Sequence, residues 1–142
     1  MDAPAVSVEV VNAFLEEAFP STGNECFELG PRHAVARSVA DPARLRPGGY
    51  ISGPTQFSLA DAVLWFALFG AVGIEPMAVT SEMSIRYLRP AIGSVLWARA
   101  DVHIAARRSV VGTISLWVDD RPDRLVSVAQ GTYMRPLADA WR

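Results

Sequence analysis

The spacing of apolar residues predicts a helix near the start of the chain and a pair of strands after it. Between residues 6 and 19 apolar side chains recur at helical spacing with glutamates between them, and Pro20 follows, so we expect an amphipathic flanking helix. Residues 26–29 and 34–39 are short runs typical of strands, and the Gly-Pro-Arg segment between them can form a turn. The pattern therefore predicts a hairpin behind the first helix.

The longest apolar stretch covers residues 59–74. Apolar side chains occupy every side of the helical wheel between 59 and 69, which predicts a helix surrounded by other structure. The stretch is shorter than the ~20 residues that a membrane span needs, and Asp61 lies inside it, so we expect no membrane insertion. Prolines and glycines recur through residues 41–58, and we expect a loop that leads up to this helix.

Four later segments are rich in β-branched and aromatic residues, and in the first two apolar and polar positions alternate. Short connections at 107–108 and 119–124 predict antiparallel hairpins. The sequence thus predicts one α+β domain over residues 1–142, with an antiparallel sheet of about six strands curved around one helix. The four segments are residues 78–88, 94–105, 109–119 and 125–134.

Composition excludes several functions. The net charge is −2 with both signs scattered along the chain, so no basic surface for nucleic acid is expected. Cys26 is the only cysteine and no Cys/His cluster has metal-ligand spacing, so neither a disulfide nor a metal site is expected. The acidic N-terminus does not resemble a secretion signal, and we expect a cytoplasmic location.

The motifs of Ser/His/Asp hydrolases and of glycine-rich nucleotide-binding loops are missing from the sequence. A Ser/His/Asp hydrolase would need a G-x-S-x-G elbow and a histidine base, but only His33 and His103 are present and no such elbow occurs. Glycine-rich phosphate loops are also missing from the sequence. These classes of enzyme are therefore disfavoured.

Asp61 and the Gly53-Pro54 pair are the main candidates for chemistry. A carboxylate in an apolar helix is costly unless it is paired, hydrogen-bonded or protonated, so Asp61 belongs either to a functional site or to the first helical turn, where the helix dipole favours it. Pro54 suits a first helical turn, and the Gly53 N–H could approach a ligand and hold a developing oxyanion. Alternatively, the pair only starts the helix.

Three stretches together resemble a known family. "SGPTQFSLADAV", then "AVTSEMSIRYLRPAIG", then strands ending in "VAQGTYMRP" are similar to the hotdog-fold acyl-CoA thioesterases of the PaaI-like group, over residues 48–136. The resemblance implies a hotdog fold, in which one long central helix is wrapped by a curved antiparallel sheet. It also implies hydrolysis of an acyl-CoA thioester, with coenzyme A as part of the substrate and no separate cofactor.

The resemblance assigns roles to particular residues. The Gly53 N–H would polarise the thioester carbonyl, Asp61 would be the nucleophile or general base, and the Thr80 hydroxyl would help to position water. Ser52 and Pro54 stand where the family has a histidine and a second glycine. These two residues would flank the substrate without supplying an imidazole.

Helix geometry adds a requirement for two chains. Eight residues at ~1.5 Å rise separate Gly53 from Asp61 by about 12 Å, so one carbonyl cannot contact both in the same chain. The expected unit is a homodimer with the site at its interface. The resemblance implies that the strand at 78–88 pairs with its copy. It also implies that two such dimers can form a tetramer, a dimer of dimers.

Substrate-binding candidates follow from charge and aromaticity. Trp65, with Phe66 and Phe69, could line an acyl or aryl pocket, although aromatic residues on a buried helix are also ordinary core residues. Four arginines could bind the phosphates of coenzyme A, although each could equally be a solvated surface charge. They are Arg86, Arg89, Arg107 and Arg108.

Three other interpretations remain open. A hotdog dehydratase would need a histidine paired with a carboxylate, and neither histidine falls where that pairing requires it. A non-catalytic protein that binds an acyl thioester or small ligand would keep the fold and the dimer, as the Ser52 and Pro54 replacements allow. In the third interpretation, Asp61 is purely structural.

Overall fold

The computed structural model describes residues 2–136, so both ends of the predicted domain, residue 1 and residues 137–142, lie outside the described residues. It contains one antiparallel sheet in the order β1-β2-β4-β5-β6-β3 and a long helix packed against it, which confirms the predicted fold class. The helices are α1 (Val8–Ala18) and α2 (Gly53–Val72), and the strands are β1 (Asn24–Leu29), β2 (His33–Val39), β3 (Val79–Tyr87), β4 (Val95–Ala105), β5 (Ser109–Val118) and β6 (Ser127–Met134).

Helix α2 begins at Gly53, so the prediction of a loop up to residue 58 was wrong. The Ser52 side chain caps the helix by accepting the Thr55 N–H at 3.2 Å, and Pro54 lies in the first turn, where its missing N–H costs nothing. Asp61 is consequently the ninth residue of the helix rather than part of its first turn. The helix dipole alone therefore does not explain the carboxylate.

The helix is buried on all sides but one. Leu59, Val63 and Phe66 are at most 1% exposed, because the sheet curves around them. By length and composition the helix could cross a membrane, yet here it forms the core of the domain. One stripe at spacings of three and four residues stays open, which corrects the prediction that the helix is enclosed on every side. It consists of Pro54, Phe57, Ser58, Asp61, Ala62 and Trp65.

The strands agree with the predicted segments to within about two residues, but the position of β3 in the sheet was not predicted. The connections at 107–108 and 119–124 form the β4–β5 and β5–β6 hairpins, as expected. β3 pairs with β6 and forms an edge of the sheet, with Thr80 opposite Tyr133. Met83 and Ile85 of β3 pack against the core. Because side chains alternate along a strand, Arg86, which follows Ile85, lies on the outer face.

Helix α1 packs on the other edge strand, β1. The side chain of Asn12 donates to the carbonyl of Cys26 at 2.8 Å and accepts its N–H at 3.0 Å, so one amide satisfies both backbone groups at an edge position. Phe14 and Phe19 of this region contact Trp65 edge to face, each at 5.7 Å between ring centroids. The flanking helix thus reaches the open stripe of α2.

Candidate active site

Two hydroxyl groups hold the Asp61 carboxylate. The Thr80 hydroxyl donates to Oδ1 at 2.6 Å, and the Tyr133 hydroxyl donates to the same oxygen at 2.8 Å. Thr80 and Tyr133 are directly opposite in the β3–β6 ladder, so the register of the sheet delivers both groups to one point on α2. The structure therefore brings together the two residues predicted for this part of the site, Asp61 and Thr80.

Tyr133 was not predicted as a site residue. It is 4% exposed, and burial together with the negative charge of Asp61 raises the pKa of its phenol, so the hydroxyl remains a donor. The alternation of apolar residues in its strand could have placed it on the inner face. No local signal, however, marks its contact with a residue 72 positions away.

Gly53 lies at the exposed N-terminus of α2. The Tyr87 hydroxyl donates to its carbonyl at 3.0 Å, and a Cβ at Gly53 would lie 3.2 Å from the Tyr87 hydroxyl oxygen, so this position has little room for a side chain. Among residues 2–136 no acceptor is recorded for the Gly53 N–H. The helix N-terminus therefore offers a free donor with the dipole behind it.

An apolar cavity of about 470 Å³ opens beside Asp61. Trp65 forms part of its wall, and its indole N–H donates to the Glu75 carbonyl at 3.2 Å, which fixes the ring. Phe19 closes the same side. Phe66 and Phe69 are at most 1% exposed and serve mainly as core residues. The cavity is lined by Leu15, Phe19, Thr22, Asn24, Ser58, Asp61, Ala62, Trp65, Phe66, Pro76, Ala78, Val79, Thr80 and Tyr133.

Ser52 and Pro54 line a neighbouring, more polar cavity of about 550 Å³. The two cavities share Thr22, Asn24 and Ser58, so they are parts of one groove that runs along the open stripe of α2. The groove connects the capped start of the helix with the carboxylate in its third turn.

Only one of the four candidate arginines lies next to a candidate catalytic group within a single chain. Arg89 lines a small cavity with Gly53 and donates to the Leu125 carbonyl at 2.5 Å. Arg86 points to the outer face of β3, away from α2. Arg107 and Arg108 are exposed in the β4–β5 turn.

Both histidines have partners away from Asp61. His33 Nε2 lies 2.7 Å from a Glu28 carboxylate oxygen, and His103 Nε2 lies 2.9 Å from the Thr113 hydroxyl. No cluster of three or more metal-ligating side chains occurs between residues 2 and 136. The groups at the candidate site are thus one carboxylate, hydroxyls and a backbone amide.

A six-stranded antiparallel sheet wrapped around one long helix, with a carboxylate on the open stripe of that helix, defines a hotdog-fold protein. The sequence model of the thioesterase superfamily matches residues 48–124, more than half of the chain. The chain belongs to the thioesterase superfamily, whose general chemistry is thioester hydrolysis.

Solved structures agree with this assignment. A candidate thioesterase from a Silicibacter species is 28% identical with a TM-score of 0.85, and the alignment covers 94% of each chain. A conserved Pseudomonas aeruginosa protein is 28% identical with a TM-score of 0.73, covering 87% of this chain and 94% of that one.

The E. coli PaaI protein of the phenylacetic acid degradation operon is 23% identical with a TM-score of 0.69, covering 90% of this chain and 92% of its own, and it shows the shared fold. A comparison with curated proteins gave no significant match.

Proposed function

We propose that this protein hydrolyses an acyl-CoA thioester to the free acid and coenzyme A at a site shared by two copies of the chain. The observation that carries the proposal is the placement of Asp61. Its carboxylate lies on the open stripe of an otherwise buried apolar helix, beside an apolar cavity, with two hydroxyls holding it. Membership of the thioesterase superfamily supplies the reaction class.

In the proposed reaction the thioester oxygen accepts a hydrogen bond from the Gly53 N–H at the positive end of the helix. As the carbonyl carbon becomes tetrahedral, this donor stabilises the charge on its oxygen. Asp61 either takes a proton from a water that attacks the carbon, or attacks it directly to form an anhydride that water then opens. In both variants the C–S bond breaks, the thiolate takes up a proton, and the acid is released.

Two chains are needed because Gly53 and Asp61 lie on the same helix, eight residues and about 12 Å apart. In the proposed homodimer Gly53 of one chain faces Asp61 of the other. Exposed apolar side chains support such a contact, since Val79 and Tyr87 on the edge strand β3 are 48% and 50% exposed and the stripe of α2 lies beside them. Pairing β3 with its copy would continue the sheet and cover this surface. A dimer of dimers remains a further prediction.

The acyl group of the substrate fits the apolar cavity next to Asp61. Trp65 and Phe19 supply aromatic walls suited to an aryl or a short to medium alkyl group. Ser52 and Pro54 flank the continuation of the groove. Arg89 beside Gly53 is the first candidate for a phosphate of coenzyme A, while Arg86, Arg107 and Arg108 would need to reach the substrate of the other copy.

Thiol release from a panel of short, medium, long and aryl acyl-CoAs tests the proposal. We expect wild-type protein to release thiol, and Asp61→Asn to lose roughly 10²–10⁴-fold in kcat, the usual contribution of a general base. Asp101→Asn is the matched control, because Asp101 pairs with Arg99, its side chain is half exposed, and it does not line the cavity beside Asp61. Release that is equal in wild type and Asp61→Asn would refute the assigned site.

A second candidate function is non-catalytic binding of an acyl thioester. Ser52 favours this function, because it stands where the related enzymes have a histidine and its hydroxyl is already engaged. The hydroxyl accepts the Thr55 N–H and lies 2.9 Å from the Thr55 hydroxyl. If an intact wild-type dimer binds acyl-CoA in calorimetry but releases no thiol, this function replaces hydrolysis. Ser52→His would then be the first change to test for a gain of activity.

A further inference from the structure

The two hydroxyl donors of Asp61 converge on a single oxygen of its carboxylate. Both Thr80 and Tyr133 bond to Oδ1, and among residues 2–136 no partner is recorded for Oδ2. A carboxylate that is held through one oxygen cannot rotate freely. The asymmetry therefore distinguishes two atoms that are otherwise chemically equivalent.

Tyr133 is the more buried of the two donors, because it is 4% exposed whereas Thr80 is an exposed residue. Its ring is buried against the core, and β6 lies between β5 and β3, paired on both sides. Its hydroxyl also lies 3.2 Å from the backbone carbonyl of Asp61, so one phenol contacts both the side chain and the main chain of the same residue. Such a double contact fixes the side-chain torsion as well as the oxygen.

We propose that Tyr133 is a positioning residue which, together with Thr80, holds Oδ1 of Asp61 so that Oδ2 is the oxygen that meets the substrate or the attacking water. The inference rests on the proposed function, since it needs Asp61 to react. Tyr133 does not exchange protons in this scheme. Burial and the charge of Asp61 raise its pKa, which keeps the phenol protonated.

Removing the Tyr133 hydroxyl should slow catalysis without weakening substrate binding. For Tyr133→Phe we expect kcat to fall roughly 10–100-fold with KM changed less than about 3-fold, because small misplacement of a reacting group costs up to about 10² in rate. Thr80→Val should act in the same direction. Thr113→Val is the matched control, since Thr113 lies on the exposed outer side of β5 and bonds to His103.

Failure of the proposed function and failure of this inference give different results. If wild-type protein releases no thiol from any acyl-CoA, the proposed function is wrong. If wild-type protein is active and Tyr133→Phe keeps kcat within about 2-fold, only the inference is overturned, because a contact that merely stabilises the fold would not alter the rate of a folded enzyme.

A second measurement tests the contact without any activity assay. In protein labelled with ¹³C at tyrosine Cζ, the Tyr133 resonance is assigned by elimination, because it is the one that both Tyr50→Phe and Tyr87→Phe retain. Asp61→Asn should shift this resonance, because the Tyr133 hydroxyl then loses its hydrogen bond to a charged oxygen. A Tyr133 resonance at the same position in wild type and Asp61→Asn would overturn the inference, even if Tyr133→Phe itself failed to fold.

Discussion

Mixing two inactive variants tests whether Gly53 and Asp61 act from different chains. Gly53→Pro removes the amide hydrogen, and Ser52 already has φ −68° and ψ 157°, the extended conformation that a residue before proline prefers. Proline is also well tolerated in a first helical turn. Its Cβ would lie 3.2 Å from the Tyr87 hydroxyl oxygen, but the Tyr87 side chain is 50% exposed and can move by the few tenths of an ångström that this contact requires. Asp61→Asn keeps an oxygen for the Thr80 hydroxyl. Both variants are therefore expected to fold and dimerise, and each alone to be almost inactive.

The expected recovery follows from dimer symmetry. A two-fold dimer has two equivalent sites, and each takes Gly53 from one chain and Asp61 from the other. In a heterodimer of the two variants one site carries both defects and the other carries none. Random exchange of equal amounts makes roughly half of the dimers mixed, so about a quarter of all sites, and about a quarter of wild-type activity, should be regained.

Coexpression with two different affinity tags allows the mixed dimer to be purified, and thiol release then measures its activity directly. The purified heterodimer should show about half of the wild-type rate per dimer, since one of its two sites is intact. A heterodimer of wild type and Asp61→Asn is the control for tagging and should give the same rate. An inactive mixed dimer next to an active control would refute the shared site, because it would mean that both groups belong to one chain.

Two further predictions concern the fold around the site. Gln56 is 4% exposed, and its side chain accepts the Ser127 hydroxyl at 2.8 Å and donates to the Ile51 carbonyl at 3.2 Å. Gln56→Leu should therefore lower the free energy of unfolding by about 2–6 kcal/mol, at about 1–3 kcal/mol for each of the two orphaned groups. The hydrogen bond couples Gln56 to Ser127, so the losses of unfolding free energy for Gln56→Leu and Ser127→Ala should not add in the double variant. Additive losses in urea unfolding would contradict this prediction. Burial, with the charges of Glu25 and Glu9, raises the pKa of the Cys26 thiol from 9.0 to about 12. Because the unfolded thiol ionises first, the wild type should lose stability relative to Cys26→Ala between pH 9.0 and about 12. If the free energies of unfolding of the two proteins change equally with pH over this range, the thiol does not contribute.

Local patterns predicted most of the elements. Alternation located the strands to within about two residues, and the all-round apolar stretch located the central helix. The start of that helix was placed six residues too late, because Gly53 and Pro54 are common in loops. Their role becomes clear only when Ser52 is seen to cap the helix. The available signal was a serine that can cap a helix, Ser52, two residues before a proline that suits the first helical turn, Pro54.

The arrangement of the strands and part of the site could not be predicted in this way. Whether β3 pairs with β4 or with β6 depends on long-range packing, and the alternation in β3 is compatible with both. The resemblance to a family assigned roles to Gly53, Asp61 and Thr80, and the structure brings Asp61 and Thr80 into contact. It did not identify Tyr133, since its hydroxyl meets Asp61 only through the β3–β6 pairing.

That pairing also decides when the site forms as the chain folds. Asp61 and Tyr133 are 72 residues apart, and Thr80 reaches the carboxylate from a strand that skips its neighbours in sequence to join the last strand of the sheet. Contacts between such distant segments must offset the entropy of closing a long loop, and chains rich in such contacts fold slowly. The hairpin of β4 and β5 can fold locally, whereas the hydroxyls meet the carboxylate only once the last strand has paired. We therefore expect Asp61 to gain its two hydroxyl partners only when β6 pairs with β3, after the local β4–β5 hairpin has formed.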